Sequence, residues 1–104
     1  MGELETALKA TSLKFAHFGW SKAPQGDYGV YAEDGANDLV AGSVHSERVV
    51  EGTVDYFTRD AALACKATIE TALNSCGAAW YLNSVQFESD TGYIHLEWVF
   101  QVMG

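Results

Sequence analysis

Between Tyr93 and Val102 the chain alternates without a break. Ile94, Leu96, Trp98, Phe100 and Val102 are large and apolar, while Tyr93, His95, Glu97, Val99 and Gln101 make a mixed second set. Successive side chains of an extended chain point to opposite faces, so the spacing predicts a strand with one strongly apolar face. Such a face needs a helix or a second sheet over it, which places these last residues inside the sheet.

Upstream, Leu4, Ala7 and Leu8 fall at helical spacing and predict a short amphipathic helix over Glu3–Ala10. Leu13–Trp20 is aromatic-rich and reads as a strand, and Ser21–Gly26, with the only proline, reads as a loop. Tyr28–Glu33 predicts a second strand, closed by a turn at Asp34-Gly35-Ala36-Asn37-Asp38. Leu39–Val44, interrupted by Gly42, reads as a short strand or an arm. Glu47–Thr58 predicts a longer strand with Val50, Val54 and Tyr56 on one face and Val49 on the other, covered on both sides or bulged at Gly52. Asp60 is placed to cap the best helix of the chain, whose stripe runs Ala62, Cys65, Ile69, Ala72 or Leu73, and Cys76, ending at Gly77. Ala78–Phe87 and Tyr93–Val102 are paired strands joined by the polar Glu88–Gly92 connection. The order α-β-β-β-α-β-β predicts an α+β fold, two helices packed on a mostly antiparallel sheet.

At 104 residues, with 48% hydrophobic side chains, the chain can bury one core, and a single domain over residues 1–104 is expected. No apolar run approaches the roughly 20 residues that span a bilayer, and Met1–Lys9 lacks the basic-then-apolar order of a secretory signal. Cytosolic synthesis without a membrane partner is therefore expected. Six basic residues against fourteen acidic ones, net −8, argue against gripping nucleic acid, which depends on Lys and Arg neutralising phosphates. They permit DNA to pass nearby without sticking.

Candidate chemistry is thin. Cys65 and Cys76 lie eleven residues apart on one predicted helix, about 16 Å at its rise per residue, too far for a disulfide. Both read as small buried hydrophobes, consistent with a reducing compartment. His17, His45 and His95 have no third ligand at useful spacing, and His95 with Glu97 reads as a surface or interface pair sharing one strand face. No nucleophile elbow or phosphate loop is present, so neither an enzyme, a cofactor nor a metal is expected. The aromatic residues, 12% of the chain, exceed what a small core hides, which leaves a subset for a subunit interface.

Four segments carry a family resemblance: Tyr28-Gly-Val-Tyr-Ala-Glu-Asp-Gly-Ala-Asn, Arg48–Asp60 ending Val-Asp-Tyr-Phe-Thr-Arg-Asp, the Ala61–Cys76 helix, and the closing β pair. In element order and local pattern the chain resembles the tail-terminator or tail-completion proteins of long-tailed bacteriophages. The resemblance implies a virion protein assembled in the host cytoplasm. It would form a ring of its own copies, commonly a hexamer, on the tail tube protein, stop tube growth and present a joining surface to the head connector protein. DNA would at most pass through the lumen. The expected assembly interface is the polar Glu33–Ser46 arm and its flank, with Glu33, Asp34, Asn37, Asp38, Leu39, Val40, His45 and Glu47 as its residues. The arm is expected to be mobile in the free chain. A head-completion or minor tail adaptor protein, a small-molecule-binding domain using the aromatics as a pocket, and a small enzyme using His17 or His95 are the alternatives.

Overall fold

The computed structural model describes residues 2–38 and 48–103. Among the described residues two helices and five strands follow in the order α1 (Gly2–Lys9), β1 (Phe15–His17), β2 (Tyr28–Asp38), β3 (Arg48–Thr58), α2 (Ala64–Ser75), β4 (Ala79–Glu88) and β5 (Tyr93–Met103). The strands form one sheet ordered β1-β2-β3-β5-β4. All neighbours are antiparallel except β1 and β2. This is the α+β fold that the hydrophobic pattern predicts.

Both helices lie on one face of the sheet. Leu4 and Leu8 of α1 and Cys65, Ile69, Ala72 and Leu73 of α2 join one core with Tyr31, Val54, Tyr56, Leu96, Trp98 and Phe100. The apolar set of β5 faces this layer, with Leu96, Trp98 and Phe100 fully buried and Ile94 and Val102 partly so. Across β3, Val54 opposes Trp98 and Tyr56 opposes Leu96, so the period-two patterns of the two strands meet face to face. Burial pushes the Cys65 thiol up to about 11, and both cysteines are free. Cys65 is therefore a packing residue and a poor nucleophile at neutral pH.

Several local expectations are corrected. The turn predicted at Asp34–Asp38 is strand: β2 continues through Ala36↔Val50 and Asn37↔Val49 to Asp38↔Arg48. Cross-strand pairing with β3 overrides the turn preference of Asp-Gly and Asn-Asp, and a bulge between Glu33 and Gly35 takes up the extra residue. The bulge anticipated at Gly52 thus sits opposite it, on the partner strand. The first strand is only Phe15–His17 rather than Leu13–Trp20, because Phe18 turns out of the ladder at φ 68. Asp60 does not stand at the helix N-cap, which is Leu63 at φ 54. Its carboxylate instead accepts the N–H groups of Ala62 (2.9 Å) and Ala64 (3.2 Å), bridging the turn and the first helical residue.

Candidate assembly interface

The expected interface residues divide into two groups. Leu39, Val40, His45 and Glu47, with most of the Glu33–Ser46 arm, lie outside the described residues. Glu33, Asp34, Asn37 and Asp38 belong to β2, so this part of the expected arm is ladder rather than loop. Glu33 accepts a hydrogen bond from His17 Nε2, and its carboxyl is held below the usual range, first by a backbone hydrogen bond and then by His17. The His17 ring is stacked between Tyr31 (4.9 Å) and Phe18 (4.2 Å). Asp34 is exposed at the bulge.

The face of the sheet opposite the helices carries the richer site. Strand alternation and the register put Glu51, Thr53, Asp55 and Phe57 of β3 on it, opposite Gln101, Val99, Glu97 and His95 of β5. Tyr81 and Glu88 of β4 extend it. Its described strand positions hold four carboxylates, Glu51, Asp55, Glu88 and Glu97, and neither Lys nor Arg. Neutral donors hold several of them: Asn83 donates to Glu97 (2.6 Å), Gln101 to Glu51 (2.6 Å) and Thr53 to Asp55 (3.1 Å).

His95 departs from its expected pairing. It donates to Asp55 on the neighbouring strand (2.8 Å), with Glu88 at 3.9 Å from Nδ1, while Glu97 takes Asn83. Phe57 stands directly opposite His95, and Asp55, the diagonal neighbour one pair along the ladder, takes the imidazole in place of Glu97 on the same strand. The His95 ring stacks on Phe57 (4.2 Å), which stacks on Tyr28 (4.9 Å). Tyr93 meets both Tyr28 and Phe57 edge-on and carries the Arg59 guanidinium 4.2 Å from its ring centre. An aromatic group thus closes one end of the acidic face. Among the described residues no group of three or more His, Cys, Asp or Glu is arranged to hold a metal ion.

Burial raises the Asp55 carboxyl above its ordinary value of 3.8, against the opposing pull of His95. In the window from that value up to the raised one, the folded protein holds the proton more tightly than the unfolded chain. Stability is therefore lost as pH rises through this window. Asp55→Asn is expected to remove that loss. Denaturant melts of variant and parent at a series of acidic pH values check it, and parallel curves would contradict it.

Among the described residues Trp80, Tyr81 and Phe100 line an open hollow of about 380 Å³ between β4 and β5, and no aromatic lines the grooves along the helices. Two shallow grooves there, about 440 and 400 Å³, are lined by small side chains such as Ala7, Ala10, Ala67 and Thr71. Sequence reasoning missed Asp55, Thr53 and Asn83. Asp55 alone left a trace, a carboxylate between Val54 and Tyr56, but its partners come from other strands. Among the described residues no helix is long and apolar enough to cross a membrane. No protein-family model matches the chain, and no curated protein matches it.

Proposed function

We propose that the chain is a structural component of a long-tailed phage virion, which caps the tail tube as a ring, ends tube growth and offers the head its joining surface. The observation that carries this reading is the helix-free sheet face with four carboxylates and neither Lys nor Arg on its described strand positions. A ring that turned this face to its lumen would repel a passing phosphate backbone rather than hold it. The resemblance in element order points the same way, since the segments that carry it form β2, β3, α2 and the β4–β5 pair. The job calls for a rigid layered domain with free edges and needs no covalent chemistry.

The test is depletion of the protein in infected cells, with tails viewed by electron microscopy. Overlong tails lacking heads are the expected result. Tails of normal length joined to heads would refute the reading, and tails of normal length left unjoined would favour a head-completion role. Replacing residues 39–47 by a short Gly-Ser linker is expected to leave the domain folded and abolish capping. This deletion is the proper test of the arm, because cutting from Glu33 would remove half of β2.

A further inference from the structure

Large apolar side chains that the single chain leaves exposed gather at two places. Phe18 (68% exposed) and Trp20 follow β1, on one edge of the sheet. On β4, the other edge, Val85 and Phe87 (68%) lie on the helix-facing side of the sheet, in register with Leu96 and Ile94, while Tyr81 (57%) lies across the bulge on the acidic face, opposite Val99. Two rows of the ladder run from the β1 patch to β4, one ending at Val85 and the other at Leu82 beside the β4 bulge. Gly29, whose carbonyl accepts Trp20 Nε1 at 3.0 Å, leads through Tyr56 and Leu96 to Val85. Tyr31, whose carbonyl accepts the Phe18 N–H at 2.9 Å, leads through Val54 and Trp98 to Leu82.

The two edges differ in protection: β1, at three residues, is short, one of the usual guards, whereas β4 is long. β4 has ten residues and one bulge, with no Lys or Pro. On the β1 side, Phe18 holds a positive φ that bulky residues seldom adopt, and its ring remains largely in solvent. The charges of the two edges are opposite. Lys14 and Lys22 flank the Phe18–Trp20 patch, exposed and without an ion pair among the described residues. Glu88 ends β4, and exposed Asp90 follows it.

We infer that the β1 edge of one copy docks on the β4 edge of the next, head to tail, with Phe18 and Trp20 against Val85 and Phe87 and the lysines toward Glu88 and Asp90. The inference deepens the ring reading and rests on it for the partner. A two-fold contact through either edge would bury one patch and leave the other in water. Head-to-tail contact buries both in every copy, and closing the ring leaves no edge unpartnered.

Two edge variants test it, Phe18→Asp and Phe87→Asp, both at sites exposed enough to leave the fold intact by circular dichroism. In sedimentation velocity the parent chain is expected to form assemblies larger than dimers as concentration rises. Each variant alone should self-associate at least roughly 30-fold more weakly, the loss typical of a central anchor. An equimolar mixture should form a dimer that grows no further, because one intact β4 edge and one intact β1 edge remain. A Phe18→Asp chain that dimerises by itself, a mixture that stays monomeric, or a parent chain monomeric at every concentration would overturn the inference. If the dimer forms as expected but depletion leaves tails capped and joined, the terminator reading fails and the contact stands.

Discussion

Replacing Trp98 by alanine is expected to cost about 3–5 kcal/mol, the range for removing a large buried aromatic. Trp98 is fully buried at the centre of β5, between Val54 on β3 and Leu82 on β4, and lies beneath the helical layer. Its indole N–H donates to Glu70 on α2 (3.0 Å), so the side chain fills the layer and also ties the helix to the sheet. Glu70 keeps Lys66 as a second partner at 3.1 Å, which limits the cost of the lost hydrogen bond. Trp98→Phe retains most of the volume and should cost only about 1–2 kcal/mol, the scale of one hydrogen bond plus a modest packing loss. Denaturant melts of the two variants check both figures. A loss below about 1 kcal/mol for alanine would mean that this face of β5 is not the core.

Gly52→Ala is expected to destabilise by about 3 kcal/mol or more, although it adds a single methyl group. Gly52 lies on the helix-facing side of β3, where a Cβ would collide with the Ala32 carbonyl oxygen and stand 2.7 Å from Phe100 Cζ and 2.8 Å from Glu33 Cα. Two of these three obstacles are backbone and belong to the strand paired with it, so relief requires β2 to move away at its bulge. The glycine is thus required by close approach of neighbouring strands rather than by its own backbone angles. Thermal and denaturant melts measure the effect. Stability within about 0.5 kcal/mol of the parent, the range of an ordinary surface substitution, would show that the β2–β3 pair yields freely there.

What the sequence determined by itself is the set of elements and their inward faces. Alternation in β5 and in Val50, Val54 and Tyr56 of β3, and the Cys65–Ile69–Leu73 stripe of α2, are local periodicities, and each needs only one apolar face to be read. The α+β class followed from their order. Tertiary structure alone decided where neighbouring strands overrule local preference. Asp34–Asp38 has turn chemistry but is held extended by β3, and Leu13–Trp20 has strand chemistry but keeps only three residues in the ladder. The register also made the acidic face, since Asp55 from β3 meets His95 and Glu97 from β5 across some forty residues of chain. Pairing of this kind depends on which strands become neighbours, a global outcome of burying the whole core, and no local spacing encodes it.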